Sequence, residues 1–410
     1  MLPSPIRLPR SSRISTISLH YRSTLAATSF ALLVIQASCA GNHAPQGAAT
    51  PTRGPVAPTG LFTSTTGTPL LHQPTQSSTA STLPYSAPRS WSGQAINEEN
   101  ATSLAPVLSI VEERITAIEW SPDGNELAVG KELGDKYVIE LLRIPSLDAL
   151  SIEALTTVPD IVFSLDGNFV FATLGRHGPL VEWDSRTGEL TRTFLDPEDR
   201  CPGADFLALG EDARHVIAGY VYFTDPSSSA ISAWDLGTGT CAGEKYSAYG
   251  DLTEIDVSRE KAALLLGFDA AGTGQPNHVD ILDGNSFATI CSIPDASRGL
   301  FIPAADAFAA LSSALDVYTL PNCSASGDWF AVAATGTFAF SPDGTLLAST
   351  ALGTAEIRSR GGRKSLAQFE VPDASQTWIR FSPDGRWVAI ATDHPGTRHA
   401  SLAIYGIPLE

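Results

Sequence analysis

The side chains best suited to chemistry after residue 97 are histidines that lie in polar stretches between strand-like segments. They are His177, His278, His394 and His399. The same polar stretches contain arginine, aromatic and acidic residues, namely Arg176, Tyr222, Phe223, Asp225, Asp393 and Arg398. Imidazole and carboxylate groups bind metal ions, whereas exposed aromatic and arginine side chains recognise macromolecules. These ten residues are therefore a candidate recognition surface, and ordinary solvated loop residues are the alternative interpretation.

Motifs of well-known catalytic and ligand-binding sites are absent from the sequence. It lacks the G-x-S-x-G nucleophile elbow, the H-E-x-x-H zinc motif, the EF-hand calcium loop and the P-loop. Four aspartates stand in Asp-Gly turns, and we interpret each as a side chain that binds the backbone of its own turn: Asp123, Asp166, Asp343 and Asp384. We predict no catalytic residue and no cofactor, so that an enzyme is the less favoured interpretation.

The first 97 residues differ in composition from the rest of the chain. They contain six arginines and no acidic residue, and four of these arginines precede the apolar run LAATSFALLVI at residues 25–35. Eleven apolar residues are too few to span a bilayer but suit the core of a signal peptide. We therefore predict a signal peptide at residues 1–38 and export of the protein.

The end of this segment resembles the bacterial lipobox. Ala37 and Ser38 directly precede Cys39, although Gln36 stands where that family usually has leucine. The resemblance implies that Cys39 is lipid-modified and anchors an outer-membrane or periplasmic lipoprotein; ordinary cleavage and secretion is the alternative. Residues 39–97 are rich in Ser, Thr and Pro and have few large apolar side chains. Such a segment cannot offset its chain entropy by burial, which predicts a disordered tether.

Four cysteines follow Cys39. An even number in an exported chain suggests two disulfides, for which three connectivities are possible. We take pairing between sequence neighbours as the default, Cys201 with Cys241 and Cys291 with Cys323. A zinc site is not expected, because no pair has C-x-x-C spacing.

The charge of the chain is also unevenly distributed. All 44 acidic residues but only 20 of the 26 basic residues lie after residue 97, which gives that part a net charge of about −24. A field of this sign repels the phosphate backbone, so we predict that nucleic acid is not a partner.

One phrase recurs along the acidic part of the chain. FSPDGTLLAST at residues 340–350 and FSPDGRWVAIAT at residues 381–392 both consist of an apolar residue, a turn and a continuous apolar strand. Related phrases bring the number of copies to seven, which start at residues 120, 163, 209, 257, 301, 340 and 381. A strand-like phrase follows each copy, and a period of roughly 40–45 residues is that of a four-stranded propeller blade.

The repeats thus predict an all-β fold, a seven-bladed β-propeller at residues 98–410. The last repeat ends after its third strand, so we expect the apolar segment at residues 104–112 to supply the missing strand and close the ring. The Ser-Pro-Asp-Gly phrases resemble those of bacterial WD40-like and TolB-like propellers. Trp-Asp occurs only at Trp183–Asp184 and Trp234–Asp235, and the Gly-His dipeptide of eukaryotic WD40 repeats is absent.

The resemblance implies where the candidate recognition surface lies. Loops between the second and third strands of propeller blades share one rim, and propellers bind ligands on a rim or at the channel. Blades 2, 4 and 7 are spread around such a ring, so only His394 and His399 could share an ion, and we predict no metal site. Glu119 and Asp256 are the acidic residues noted in the predicted innermost strands, too few to propose a catalytic site there.

We therefore expect a monomeric, non-catalytic propeller of the cell envelope that binds a protein or a glycan and contacts the membrane only through its lipid. The resemblance leaves two alternatives open. One is an exported propeller enzyme of the lactonase or sugar-oxidoreductase kind, and the other is a TolB-like component of an envelope machine.

Overall fold

The computed structural model describes residues 90–409 except 113, 197–200, 202, 223–226, 327–335, 352, 361–364, 372–375 and 395–398. The predicted signal peptide at residues 1–38, Cys39 and the predicted tether up to residue 89 lie outside the described residues. Phe223, Asp225 and Arg398 of the candidate recognition surface also lie outside them. No helix in the described part of the chain has the length and apolarity needed to cross a membrane.

The described chain folds into seven antiparallel sheets of four strands, the seven blades of a β-propeller. This confirms the fold class predicted from the repeats. A 3₁₀ turn at Ala101–Ser103 is the single helical element among the residues described.

Blades 1 to 4 follow one another along the chain, with the first strand of each blade lining the central channel. Blade 1 contains β2 (Arg114–Trp120), β3 (Glu126–Leu133), β4 (Lys136–Arg143) and β5 (Ala149–Ala154). Blade 2 contains β6 (Ile161–Phe163), β7 (Phe169–Thr173), β8 (Leu180–Asp184) and β9 (Leu190–Phe194). Blade 3 contains β10 (Phe206–Leu209), β11 (His215–Tyr222), β12 (Ser228–Asp235) and β13 (Cys241–Tyr249). Blade 4 contains β14 (Asp251–Ser258), β15 (Ala263–Asp269), β16 (His278–Asp283) and β17 (Thr289–Pro294).

Blades 5 to 7 complete the ring, and blade 7 takes its fourth strand from the N-terminal side. Blade 5 contains β18 (Arg298–Phe301), β19 (Ala307–Leu311), β20 (Leu315–Thr319) and β21 (Ser324–Ala325). Blade 6 contains β22 (Phe338–Phe340), β23 (Leu346–Ala351), β24 (Thr354–Ser359) and β25 (Ser365–Glu370). Blade 7 contains β26 (Gln376–Phe381), β27 (Trp387–His394), β28 (His399–Gly406) and β1 (Ala105–Glu112).

The two ends of the propeller differ in the connections that they carry. We call the end with the loops between second and third strands the upper face, and the end with the turns between first and second strands the lower face. Because the strands are antiparallel, the fourth strand of each blade runs towards the upper face and its chain crosses there to the next blade.

Strand β1 closes the ring as predicted for residues 104–112. It pairs with β28, with Ile110 opposite Leu402 and Glu112 opposite Ala400. Pairing removes the open edge that β28 would otherwise expose to other chains. A buried lysine also crosses this joint: the Lys131 side chain is 3% exposed, and its ammonium group binds Glu112 of β1 at 2.8 Å and Glu140 of β4.

Residues 90–97 pack on the lower face of blade 7. The Ser92 N–H donates to the Ile407 carbonyl at 2.9 Å, and the Ile96 N–H donates to the Gly385 carbonyl at 2.8 Å. The Trp91 ring meets the Trp387 ring edge to face, with 5.8 Å between centroids. The packed part of the chain therefore begins before the boundary predicted at residue 98.

Each complete Ser-Pro-Asp-Gly phrase forms the same hydrogen-bonded turn. In the first, the Ser121 hydroxyl donates to the Asp123 carboxylate at 2.7 Å and accepts the Glu126 N–H at 2.9 Å. Asp123 also accepts the Asn125 N–H at 3.0 Å. The serine–aspartate bond recurs at the other three Asp-Gly turns, in Asp166, Asp343 and Asp384. The interpretation of these aspartates as turn residues is confirmed.

Apolar side chains fill the space between neighbouring blades. Trp387 of blade 7 lies in the same buried cluster as Ile115 and Trp120 of blade 1. Trp183 and Trp234 are also buried, as expected for residues that pack between sheets. The second strands are buried on both faces, which explains their continuous rather than alternating apolar sequences.

Both predicted disulfides are present and join the predicted pairs. The Cα atoms are 6.3 Å apart in Cys201–Cys241 and 6.4 Å apart in Cys291–Cys323. Cys291 lies in β17 and Cys323 directly precedes β21, so that bridge joins the outer strands of blades 4 and 5. Two disulfides are consistent with a protein that is exported from the cytoplasm.

Candidate functional site

The central channel encloses a cavity of about 1810 Å³ that the innermost strands line. Side chains alternate along a strand, so every second residue of these strands faces the channel. One ring of side chains comes from the residue directly before each repeat: Glu119, Val162, Ala208, Asp256, Leu300, Ala339 and Arg380. Another comes from the third residue before the repeat in blades 2 to 7: Asp160, Phe206, Glu254, Arg298, Thr337 and Trp378.

Four carboxyl groups lie among these lining residues. Burial in the channel raises the pKa of Glu119 and that of Glu254 to about 7, and the pKa of Asp160 to about 6. Burial also raises the pKa of Asp256. The positive charge of Arg380 opposes the rise for all four groups. The channel thus holds more negative charge than its arginines neutralise.

Asp160 and Asp256 use their carboxylate oxygens to connect blades. Asp160 accepts the Leu207 N–H of blade 3 at 2.8 Å, and Asp256 accepts the Phe301 N–H of blade 5 at 2.7 Å. Each also accepts the N–H of the residue that follows it, at 2.9 Å. These two acids therefore help to hold neighbouring innermost strands together.

Glu119 and Glu254 accept no N–H group from a neighbouring blade among the described residues. The nearest charged group to Glu119 is Arg380, whose Nε lies 4.0 Å from the Glu119 Oε2. The Glu254 side chain forms no hydrogen bond with another described residue, and Arg298 and Arg380 are its positive neighbours. Both glutamates are therefore available to a ligand that enters the channel.

The channel acids are too far apart to form a compact metal site. Among the described residues, one group of three possible ligand atoms within 4.8 Å of one another occurs, in Asp196, Cys201 and Cys241. The two cysteines of that group form a disulfide with each other, so their sulfurs are not thiolate ligands.

Asp205 lies near the upper end of the channel and is an unusual carboxylate. Its side chain is 8% exposed, and neither carboxylate oxygen forms a hydrogen bond with another residue of the described chain. The nearest ionisable side chain is His177, whose Nδ1 lies 3.9 Å from the Asp205 Oδ2. A buried carboxylate without hydrogen bonds is costly unless a positive group compensates it.

Five of the predicted recognition residues lie on the upper face. Arg176 and His177 are exposed in the loop that follows β7, and Arg176 lines the mouth of the channel. Tyr222 is exposed at the end of β11. His394 and His399 are directly opposite each other at the tip of the β27–β28 hairpin.

Two other predicted recognition residues, His278 and Asp393, lie inside the protein, which corrects the sequence-based expectation for them. His278 stacks on Phe268, with 4.7 Å between ring centroids, and also contacts Tyr249. Asp393 is fully buried and accepts the Ile115 N–H of blade 1 at 3.3 Å. Its Oδ2 lies 3.5 Å from the Arg114 Nε. Both residues stabilise contacts of the β-sheets and are not displayed to a partner.

Exposed apolar side chains mark one part of the upper face. The three most exposed large apolar residues of the described chain lie at the upper ends of fourth strands. Leu155 at 88% and Leu195 at 70% directly follow their strands, and Val111 at 76% is the second-last residue of β1. Tyr249 ends the fourth strand of blade 3 and is also exposed. We call these four residues, from the consecutive blades 7, 1, 2 and 3, the apolar arc. Leu133 and Tyr222 are exposed on the same blades and the same face.

The arc differs from the rest of the upper face. The equivalent positions after the fourth strands of blades 4 and 6 hold the exposed Asp295 and the buried Val371. Single exposed apolar residues are common on protein surfaces, but here they occur at the upper ends of the fourth strands of four successive blades.

Comparisons with known proteins support the β-propeller fold but assign no family or function to the chain. No family model matches the chain, and no curated protein matches it. Among solved structures it is similar to hydrazine synthase of Kuenenia stuttgartiensis, with 13% sequence identity and a TM-score of 0.53. The similarity covers 71% of this chain and 95% of that chain. At this identity it shows the β-propeller fold alone.

The positions of the channel residues follow from the sequence repeat, although no known catalytic or ligand-binding motif marks them. Once seven repeats are aligned, the period-two pattern of a strand places the first and third residues before each repeat on one face. That rule would have added Asp160, Glu254, Arg298 and Arg380 to Glu119 and Asp256. Asp205 gives no comparable signal, because its burial depends on contacts between blades 2 and 3.

Proposed function

We propose that this chain is a non-catalytic binding protein of the cell envelope, exported and anchored through a lipid on Cys39, whose propeller head binds a protein partner. The observation that carries the proposal is the apolar arc on the upper face. Exposed apolar surface that recurs on one side of a rigid scaffold marks contact with a protein or with a membrane.

Charge favours a protein over a membrane surface. The part of the chain after residue 97 has a net charge of about −24, and anionic lipid headgroups repel a surface of that sign. A glycan is less favoured, because three of the four arc residues, Leu155, Val111 and Leu195, are aliphatic, and Tyr249 alone offers a ring for stacking and a hydrogen-bonding group. The arc therefore supports the protein-binding form of the function expected from the sequence.

The structure of the head suits display of such a surface. The closing strand and the two disulfides limit how far the blades can move relative to one another, so the arc does not have to be ordered on binding. Because the arc is already ordered, little of the free energy gained by burying its apolar side chains against a partner is offset by a loss of chain entropy. A dedicated partner in an envelope machine, as in TolB-like proteins, is one form of this proposal.

The exported-enzyme alternative receives support only from the channel acids. A carboxyl group with a pKa near 7 suits general acid–base catalysis. However, Asp160 and Asp256 are occupied by backbone N–H groups of the neighbouring blades. The remaining two glutamates form no triad with a described histidine or nucleophile, so the channel supports ligand binding better than catalysis.

Site-specific photo-crosslinking in the native cell tests the proposal. A photoreactive residue replaces Leu155 or Leu195 on the arc, and in matched controls it replaces Leu190 or Ile290, which are exposed near the lower face. We expect one protein to crosslink from the arc positions and not from the controls. Leu155→Asp together with Leu195→Asp should abolish the crosslink from Val111 without lowering the melting temperature.

Two results would overturn the proposal. Equal crosslinking from the arc and from the lower face would show contact without a defined site. Crosslinks from the arc to lipid alone would assign the arc to a membrane surface. A mature chain that carries no acyl mass on Cys39 would remove the lipid anchor but leave the arc unaffected.

A further inference from the structure

The two disulfides of the propeller differ in how easily a reductant can reach them. Cys201 and Cys241 are 6% and 4% exposed and lie in an apolar cluster of blades 2 and 3. Cys291 and Cys323 are both partly exposed and join the outer strands of blades 4 and 5. Thiol–disulfide exchange begins when a thiolate attacks a disulfide sulfur, so access to that sulfur limits the rate. The Cys291–Cys323 bridge is therefore the more open of the two to external thiols.

The strand that follows Cys323 is the shortest fourth strand among the described blades. β21 has two residues, whereas the fourth strands of the other six blades have five to nine. Two residue pairs join it to β20, Tyr318 with Ala325 and Thr319 with Ser324. Both residues of β21 are exposed, so the strand buries little apolar surface. Its own sheet therefore holds β21 only weakly.

The bridge to Cys291 fixes this weakly held strand to the neighbouring blade. Beyond the two residue pairs, the Ser326 N–H donates to the Val317 carbonyl at 2.8 Å, and Cys323 packs against an apolar cluster of blades 4 and 5. Cys291, by contrast, lies inside the six-residue strand β17, which pairs with β16. One end of the bridge is thus held firmly by its sheet, and the other end depends largely on the bridge itself.

This difference in anchoring affects the stability of each bridge as well as its accessibility. A disulfide resists reduction when the folded protein holds the two thiols close together, because their effective concentration is then high. Cys201 and Cys241 stay side by side after reduction, since both are buried in the same cluster. Cys323 can move away from Cys291 when the short strand β21 detaches. We therefore expect the Cys291–Cys323 bridge to be reduced under milder conditions.

We propose that Cys291–Cys323 is a thiol–disulfide exchange site that a dithiol reductant reduces, and that its reduction detaches the outer strand of blade 5. A thiolate of the dithiol attacks the Cys323 sulfur, which lies in an exposed turn, and the Cys291 sulfur leaves as a thiolate. The second thiol of the reductant, after loss of its proton, attacks the reductant's sulfur in the mixed disulfide and releases Cys323. Two electrons pass to the bridge, both cysteines take up protons, and the dithiol becomes a disulfide.

Reduction changes one blade and leaves the ring closed. Without β21, strand β20 has an open edge whose N–H and C=O groups can pair with another strand. The closing strand β1 belongs to blade 7 and does not contact this bridge through any strand pairing. The exchange site also lies on other blades than the apolar arc, so this inference does not depend on the proposed protein partner.

Redox titration of the full chain tests selective reduction. The protein is equilibrated in buffers of reduced and oxidised glutathione, free thiols are trapped with iodoacetamide, and peptide masses report how far each cysteine is reduced. We expect Cys291 and Cys323 to be half reduced at a value of [GSH]²/[GSSG] at least about tenfold lower than Cys201 and Cys241 require. With dithiothreitol, their reduction should also be at least about tenfold faster, because their sulfurs are more accessible.

Hydrogen–deuterium exchange tests the detachment of the strand. When Cys291–Cys323 alone is reduced, amides of residues 315–326 should exchange at least about tenfold faster than in the oxidised protein. Amides of β13, the outer strand of blade 3 that carries Cys241, should not change and serve as the control. Cys291→Ser with Cys323→Ser should show the same local exchange without a reductant. Because the wild-type protein is reduced after it has folded, the test does not depend on folding of this variant.

Three results would overturn the proposal. Reduction of both bridges at the same glutathione ratio would show that accessibility and anchoring do not distinguish them. Reduction of Cys291–Cys323 only under conditions that unfold the whole chain would make it a purely structural bridge. Unchanged exchange at residues 315–326 after selective reduction would show that β21 does not depend on the bridge.

Discussion

The closing joint of the propeller depends on Lys131, and its replacement by methionine should destabilise the fold. Lys131 lies in blade 1 and binds Glu112 of the closing strand and Glu140 of its own blade, with a side chain that is 3% exposed. Methionine keeps the length of the side chain but removes the charge. Two nearly buried carboxylates would then face each other without a positive partner.

The size of the effect follows from this burial. Removal of one partner from a buried ion pair costs about 3–5 kcal/mol, whereas an exposed pair contributes about 1 kcal/mol or less. Unfolding of the 320 positions from 90 to 409, at about 2.1 cal/mol/K per residue, has an entropy of about 0.7 kcal/mol/K. We therefore expect Lys131→Met to lower Tm by about 4–7 °C.

Differential scanning calorimetry of the oxidised chain measures this change, and two variants serve as controls. Arg143→Met breaks the exposed pair of Arg143 with Glu126 in the same blade and should lower Tm by less than about 2 °C. Adding Glu112→Gln and Glu140→Gln to Lys131→Met removes the unpaired charges and should restore most of the loss. If the Lys131→Met and Arg143→Met variants had the same Tm, the proposed role of this buried network would be refuted. A triple variant without recovery would assign the loss to packing.

Three further outcomes follow from the structure. Replacing Cys291 and Cys323 by serine should lower the free energy of unfolding by about 3–4 kcal/mol, because the disulfide closes a loop with a sequence separation of 32 residues. Urea unfolding measures this change, and an unchanged unfolding curve after reduction of the disulfide would contradict the prediction. Glu119 and Glu254 keep their protons up to about pH 7 in the folded protein but only up to about pH 4.5 in the unfolded chain. The free energy of unfolding should therefore fall as the pH rises from about 4.5 to about 7 and then stay level. Replacing both residues by glutamine should flatten this profile and, with allowance for solvent contact, raise the free energy of unfolding by about 1–3 kcal/mol at pH 8. Deleting 105–112 should remove cooperative melting or solubility, because β28 becomes an open edge; an unchanged melt would show that the strand is dispensable.

The fold could be predicted from the sequence because its information is local and repeated seven times. A Ser-Pro-Asp-Gly turn specifies a hairpin through bonds within six residues, as between Ser121, Asp123 and Glu126. Even the degenerate copies keep the spacing of a buried second strand, as in β15 and β19. The closing strand could be inferred by counting strands. The last repeat lacked its fourth strand, and an additional apolar segment stood before the first repeat.

The site was less predictable because it depends on contacts between blades. The sequence places Asp393 in a polar stretch between strand-like segments, but Arg114 and the Ile115 N–H of blade 1 stabilise it at the end of β27. His278 is expected in such a polar stretch as well, and in the structure it begins β16 and stacks on Phe268. The apolar arc has no motif, because its residues recur only by position around the ring.

The described chain enters the propeller at the end opposite the apolar arc. The backbone pairs Trp91 with Pro408 and Ser92 with Ile407 on the lower face of blade 7, so the segment before residue 90 joins the head at that end. The apolar arc lies at the opposite end. If the chain is anchored through Cys39 as proposed, its point of attachment to the head lies at the end of the propeller opposite the arc, so a partner can contact the arc without displacing residues 90–97.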